Sequence, residues 1–137
     1  MSLFRIFDIA GSAMSAQSVR LNTVASNIAN AESASSSVDQ TYRARTPVFS
    51  AVMDALQNNG SAAGVKVLGI VESQAPLRRE FHPDHPLADK DGYINLPNVN
   101  VVEEMANMIS ASRSYQTNAE VINTSKQMLL RTLSLGQ

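Results

Sequence analysis

The chain has 137 residues, a formal net charge of -1, no cysteine and a charged fraction of 17%. This length suits one domain with a modest core. The near-neutral charge excludes a broad basic field for nucleic acid, and the absence of cysteine excludes disulfides and thiolate metal sites. Aromatic residues make up only 5% of the chain and tryptophan is absent, which argues against a deep pocket for a small molecule.

The start of the chain does not resemble a secretory signal. Arg5 is followed by Asp8 and Gly11, so no uninterrupted apolar run forms. No later stretch reaches the roughly 20 apolar residues that span a bilayer. These features alone predict a soluble, cytoplasmic protein.

The N-terminal segment, residues 3–31, is predicted to be a long helix without proline. Its apolar or small residues recur at alternating steps of four and three, which is the a/d spacing of a heptad seam. Gly11 costs such a helix about 1 kcal/mol relative to alanine, which indicates a close helix contact there. The seam positions are Leu3, Phe7, Ala10, Met14, Gln17, Leu21, Val24 and Ile28.

The middle segment, residues 32–99, is predicted to be a small β-rich insert. It begins with a serine-rich loop at 32–40. Residues 42–52 then suit a strand or a short extended arm, and Asn58–Gly64 suits a turn. Strands are predicted at Val65–Glu72 and, more briefly, at Gly92–Leu96, with an irregular stretch at 76–91 between them.

The C-terminal segment, from Val101 to Leu135, is predicted to be a second long helix. Asn100 is a suitable N-cap with Glu103 three residues later, and Gly136 is a plausible C-cap. The heptad spacing of the first helix is repeated here. Its positions are Val101, Met105, Met108, Ser112, Tyr115, Ala119, Ile122, Lys126, Leu129 and Leu133.

Together these segments predict a mainly α fold: an antiparallel two-helix coiled-coil hairpin from the N- and C-terminal segments, with a small β-containing insert. The paired helices would occupy residues 1–31 and 100–137. The large seam residues of one helix are expected to pack against those of the other, with asparagines bonded between helices or between subunits. The expected packing set is Phe7, Met14, Leu21, Val24 and Ile28 against Met105, Tyr115, Ile122, Leu129 and Leu133.

The predicted helices carry little charge on their outer faces. Between Ile9 and Ala31 the only charged residue is Arg20. A helix that faces water normally carries lysine and glutamate on its exposed side. The pattern therefore favours contact with other protein on most sides, although an ordinary helical hairpin core also produces heptads.

The only stretch with chemistry-bearing residues is His82-Pro83-Asp84-His85-Pro86, followed by Asp89 and Asp91-Gly92. Its spacing does not fit a zinc or calcium motif, since the prolines impose an extended path and no glutamate closes the loop. A loop braced by proline is the simpler interpretation, and we predict no catalytic residue, metal or cofactor. A small metal-dependent hydrolase that uses this stretch is the alternative.

The residues Leu21–Ala31 (LNTVASNIANA) resemble the N-terminal motif shared by flagellar rod and hook proteins. The stretch Ile6–Ala13 narrows the resemblance to the proximal rod. The segments Gly64–Val67, Pro86–Asp89 with Gly92-Tyr93, and Pro97–Val99 agree with it. The closing run from Ala111 to Gln137 is similar to the closing helix of this family, so the resemblance covers nearly the whole chain.

This resemblance implies a structural subunit, not an enzyme, that stacks helically in the proximal rod. The paired terminal helices would line the inner wall around the central export channel of the drive shaft. The flagellar type III apparatus would export the chain without cleavage into the periplasm, which replaces the cytoplasmic expectation. A soluble coiled-coil adaptor or export chaperone is the alternative.

The implied partners are the other rod proteins FlgB, FlgF and FlgG, then FliE, the MS ring at the rod base, and further copies of the chain. Nucleic acid, membrane insertion and a small-molecule substrate are not expected. The predicted assembly interface draws on both helices. It consists of Leu3, Phe7, Ala10, Met14, Leu21, Val24, Asn27, Ile28, Asn30, Met105, Met108, Tyr115, Ala119, Ile122, Asn123, Leu129 and Leu133.

Overall fold

The computed structural model describes residues 3–53 and 62–135. Along the described chain, four strands lie between two long helices. The elements are α1 (Leu3–Ala29), β1 (Arg45–Met53), β2 (Ala62–Glu72), β3 (Arg78–Phe81), β4 (Tyr93–Leu96) and α2 (Val101–Leu135), with a 3-10 turn at Val38–Gln40.

Asparagine side chains bond to the backbone at the C-terminal end of α1 and at the N-terminal end of α2. At the start of α2, Oδ1 of Asn100 accepts hydrogen bonds from the backbone nitrogens of Val102 (3.1 Å) and Glu103 (3.4 Å), which confirms the predicted N-cap. After α1, Nδ2 of Asn30 donates to the carbonyl oxygen of Ser26 at 2.8 Å. The same carbonyl also accepts the backbone hydrogen of Asn30 at 3.1 Å, and α1 ends at Ala29, two residues before the predicted limit. The predicted C-cap at residue 136 lies outside the described residues.

Strands β1 and β2 form an antiparallel hairpin that packs on α1. Arg45 lies opposite Glu72 at one end, and the pair is joined by a salt bridge of 2.9 Å. Nearer the other end, the backbone nitrogen of Val65 donates to Oγ of Ser12 on α1 at 3.0 Å. The strand predicted at Val65–Glu72 is confirmed as part of β2. Of the turn predicted at Asn58–Gly64, residues 58–61 lie outside the described residues.

Strands β3 and β4 form a second, shorter antiparallel pair. Arg78 lies opposite Leu96 and Phe81 opposite Tyr93. The last two rings meet edge to face with centroids 5.2 Å apart. β4 confirms the strand predicted at 92–96, whereas β3 falls in the stretch that was predicted to be irregular.

The predicted fold class, a mainly α two-helix hairpin with a small β-containing insert, is wrong. The structure is 52% helical and 22% strand, with four antiparallel strands in two small sheets. The physical reason is that α1 packs on two sides, against α2 and against the β1–β2 hairpin. The hairpin is therefore a second layer along the helix, and the architecture is α+β.

The core is built largely from small side chains. Alanines let backbones approach closely, but each buries little apolar area. The apolar residues that are almost completely buried are Ala10, Ala16, Val24, Ala31, Ile94, Leu96, Val99 and Ala111.

Candidate assembly surface

Asn27 fixes how the two helices and the hairpin meet. Its side chain is 1% exposed. Its Nδ2 donates to the carbonyl oxygen of Arg45 (2.8 Å) and to Oε2 of Glu104 (2.9 Å). Its Oδ1 accepts from the hydroxyl of Tyr42 (2.8 Å) and from the backbone nitrogen of Arg45 (2.9 Å). All four hydrogen-bonding positions of this amide are thus used, and α1, β1 and α2 are held in one register.

The residues of α2 that pack on α1 differ from the predicted seam. Several of them precede a predicted seam residue by one position. Glu104 bonds to Asn27, Ala111 is completely buried, and Ser125 is 3% exposed. These residues occupy places that the prediction gave to Met105, Ser112 and Lys126. Small side chains permit a closer helix contact, and the Asn27–Glu104 bond adds a polar constraint that a hydrophobic pattern does not reveal.

In the structure the predicted α1 residues form a buried group and a half-buried group. Ala10, Val24 and Asn27 are buried, and Asn30 caps the end of the helix. The larger members of the set are half-buried along the edge of the helix pair, and the side chain of Leu3 is not described. These half-buried residues are Phe7, Met14, Leu21 and Ile28.

The structure divides the predicted α2 residues between a half-buried and an exposed group. The half-buried group is Met108, Ala119, Ile122 and Leu129. Met105 is 54%, Tyr115 37% and Leu133 69% exposed, and Asn123 is exposed too. The expectation that Met105, Tyr115 and Leu133 are buried against α1 within one chain is therefore wrong.

Besides Val101, which was predicted only as a heptad position, five further large apolar residues of α2 are exposed and were absent from the predicted interface. Val102 is 77% exposed, and Ile109 and Leu130 are more than half exposed. Val102, Met105 and Ile109 follow steps of three and four, a spacing that could have revealed a second apolar side of the helix. The other two, Val121 and Met128, border a shallow groove beside Ile6 of α1.

The outer side of the β1–β2 hairpin is a second apolar surface. Val48, Val52, Leu68 and Val71 are all exposed there. Pro47 is buried and Val67 half-buried, and a register shift between Val48 and Phe49 interrupts the strict alternation of side chains along the hairpin. Apolar patches on both a helix and a sheet are typical of a protein that is covered by others.

The polar features of the described residues do not assemble a reactive site. No group of three His, Cys, Asp or Glu residues is placed to hold a metal ion among the described residues. His82 lies 3.5 Å from Glu80, whereas Nδ1 of His85 accepts the backbone hydrogen of Leu87 at 3.1 Å. A cleft of about 620 Å³ beside the serine-rich loop is lined mainly by hydroxyl, amide and guanidinium groups.

Asp89 organises the turn before β4. Its Oδ1 accepts from the backbone nitrogens of Tyr93 (2.8 Å) and Asp91 (3.0 Å), and its Oδ2 accepts from Arg79 (2.9 Å). The bond from Tyr93 is the largest cause that lowers the pKa of Asp89 below its ordinary value of 3.8, and Asp91 and Arg79 lower it further. These contacts explain the residue as a turn-forming carboxylate.

Across the described residues, neither helix has the length and apolar content that a bilayer crossing requires.

Comparison with known proteins agrees with this architecture of terminal helices. The family model "Flagella basal body rod protein" matches residues 7–32, and "Flagellar basal body rod FlgEFG protein C-terminal" matches residues 90–135. The chain is 55% identical to the flagellar basal-body rod protein FlgC of Salmonella typhimurium over 137 residues, with both chains fully covered.

Other relatives carry the same description. FlgC of Yersinia enterocolitica is also 55% identical over 137 residues, and FlgC of Buchnera aphidicola subsp. Schizaphis graminum is 47% identical over 139 residues, each with both chains fully covered. The chain therefore belongs to the FlgC family, the structural proteins of the flagellar basal-body rod.

Proposed function

We propose that the chain polymerises helically through α1 and α2 to build the proximal part of the rod, as a mechanical element of the drive shaft around a central export channel. The observation that carries this proposal is the exposure of large apolar residues along α2, led by Val102 and Leu133. Exposed apolar surface is stabilised when neighbours exclude water from it.

The division of labour within the chain is part of the proposal. Residues 1–31 and 100–137 form the rod core domain, and residues 32–99 form an insert at its side. Contacts between subunits use the half-buried edge of α1, at Phe7, Met14 and Leu21, and the exposed side of α2. The predicted interface residues that are buried within the chain, such as Val24, support that surface from beneath.

The proposal includes specific partners and a location, which membership of the family supports. The neighbours are FlgB, FlgF, FlgG, FliE and the MS ring, besides copies of the chain. The rod lies in the periplasm, and the flagellar type III apparatus exports the subunits without a cleaved signal. The work is mechanical, because torque passes through packed helices and no bond is made or broken.

A complementation experiment tests this function. A bacterium that lacks its own rod protein of this family receives the full chain, and its basal bodies are purified. We expect the chain in those basal bodies and restored motility. Ile109→Lys should reduce the amount of the chain in basal bodies and the motility by at least tenfold each, because a charge replaces an exposed apolar side chain. The double substitution of His82 and His85 by alanine is the matched control and should leave motility intact. Loss of motility in that control, with the chain still in the basal body, would favour catalysis.

A further inference from the structure

One side of α1 faces away from both α2 and the hairpin. Its residues follow steps of three and four along the helix, and all are exposed. A Cβ built on Gly11 would meet no heavy atom within 4 Å, so nothing within the chain accounts for a glycine there. We call these residues the α1 stripe: Asp8, Gly11, Ser15, Ser18, Asn22, Ala25 and Ala29.

One side of α2 is also largely exposed in the part of the chain that the structure describes. It lies about 100° around the helix from the side that packs on α1, because Met105, Ser112 and Lys126 each follow a residue of that side, Glu104, Ala111 or Ser125, by one. Five of its residues are exposed, and Ser112 and Ala119 are half-buried. We call these residues the α2 stripe: Met105, Ile109, Ser112, Gln116, Ala119, Asn123 and Lys126.

The spacing of residues in the α1 stripe equals that of the α2 stripe taken in reverse chain order. The steps of α1 from Asp8 to Ala29 are three, four, three, four, three and four. The steps of α2 from Lys126 back to Met105 are the same. Seven positions can therefore face seven positions in an antiparallel helix pair with heptad spacing.

The chemistry of the facing residues also matches. Each stripe has one charged residue, Asp8 and Lys126, and the two have opposite sign and meet at one end. At the other end the large side chains of Ile109 and Met105 meet small alanines. Two of the four positions between them pair a hydroxyl with an amide, Ser18 opposite Gln116 and Asn22 opposite Ser112, and in the other two a polar side chain meets Gly11 or Ala119.

We infer that the α2 stripe of one copy packs antiparallel on the α1 stripe of a second copy, with Lys126 beside Asp8. This inference rests on the proposed function, because it specifies how two copies meet in the rod. The contact joins two different surfaces, so one copy of the pair keeps a free α1 stripe and the other keeps a free α2 stripe. Such a contact continues into a ring or an open helix and does not stop at a pair.

The register separates the copies along the helix axis. Within one chain Arg20 is level with Asn107, to which it bonds at 3.0 Å, and Asn27 is level with Glu104. In the intermolecular register Asn22 is level with Ser112. The neighbour is therefore displaced by about three to seven residues, depending on which of these pairs is the reference, or about 5–10 Å at 1.5 Å per residue. An axial displacement between successive copies is what a helical shaft requires.

Cysteine pairing tests the contact in assembled basal bodies. The chain has no cysteine, so Ala25→Cys and Ile109→Cys can be introduced into two differently tagged full-length copies that are expressed together. After oxidation we expect a product that carries both tags, at about twice the chain mass of 14.8 kDa. Pairing Ala25→Cys with Ser110→Cys is the control, since Ser110 is exposed but lies about 100° around α2 from Ile109, and it should give no such product.

A charge exchange tests the same register without cysteine. Asp8→Lys and Lys126→Asp should each lower the amount of chain in basal bodies several-fold. The double variant should recover to within about twofold, because every contact contains one residue of each kind. Absence of recovery, absence of the two-tag product, or a cross-link to a different rod protein would each overturn the inference. Absence of the unsubstituted chain from basal bodies would instead contradict the proposed function.

Discussion

Nδ2 of Asn27 lies 2.9 Å from Oε2 of Glu104, and this bond joins the end of α1 to the first turn of α2. The same amide holds the backbone of Arg45 at the start of β1. A single side chain therefore ties together three elements that are distant in sequence. Because the amide is buried, the polar groups around it depend on it for their hydrogen bonds.

Asn27→Ala should lower the free energy of unfolding by about 3 kcal/mol, because it removes four hydrogen bonds and leaves buried groups unpaired. Urea denaturation of the full chain, followed by circular dichroism, measures the change. Asn22→Ala on the exposed side of the same helix is the control and should change stability by less than about 0.5 kcal/mol. Equal effects of the two substitutions would contradict the role assigned to Asn27.

Gly64→Ala should destabilise the contact between β2 and α1. An added Cβ would lie 2.6 Å from Oγ of Ser12 and 3.3 Å from its Cβ. The hydroxyl could turn aside only by giving up its bond to the backbone nitrogen of Val65. We expect a loss of about 1–3 kcal/mol in denaturation experiments. Gly69→Ala is the matched control, since nothing lies within 4 Å of that position; a comparable loss there would rule out the steric explanation.

The turn before β4 should weaken in acid. The folded pKa of Asp89 is lowered from 3.8, so its stabilising contribution is complete above that ordinary value. The contribution is lost as the pH falls through the folded pKa. The protection of the Asp91 and Tyr93 amides, measured by nuclear magnetic resonance as exchange relative to the intrinsic rate at each pH, should fall over this range. Asp89→Asn should abolish the pH dependence, whereas Asp84→Asn should retain it; persistence of the dependence in Asp89→Asn would refute the assignment.

The last turns of α2 should be the least protected part of that helix in a dilute, isolated chain. From Lys126 to Ser134 every residue is exposed except Leu129, which is half-buried. Few buried contacts and solvent-exposed hydrogen bonds favour local opening. Hydrogen exchange should be at least tenfold faster there than around Ala111, and assembly into basal bodies should remove the difference. Equal protection of both regions in the dilute chain would contradict the proposed dependence on neighbours.

Several features could be predicted from local sequence because they depend on neighbouring residues alone. Steps of three and four predicted both helices, and Asn100 predicted the start of α2. The strand after Gly64 was evident from its β-branched residues. In contrast, β3 was missed because Arg78, Arg79 and Glu80 carry no apolar alternation, and their strand conformation depends on pairing with β4.

The amino-acid sequence by itself determined the two long helices, the strand after Gly64 and the low charge of the helices, since periodicity and capping act over a few residues. Only the tertiary structure decided which sides of those elements are covered. Glu104, Ala111 and Ser125 face α1 in place of larger neighbours because small side chains and the amide of Asn27 permit a closer approach. The hairpin covers another side of α1, and the residues left exposed by these two contacts make up the surface proposed for assembly.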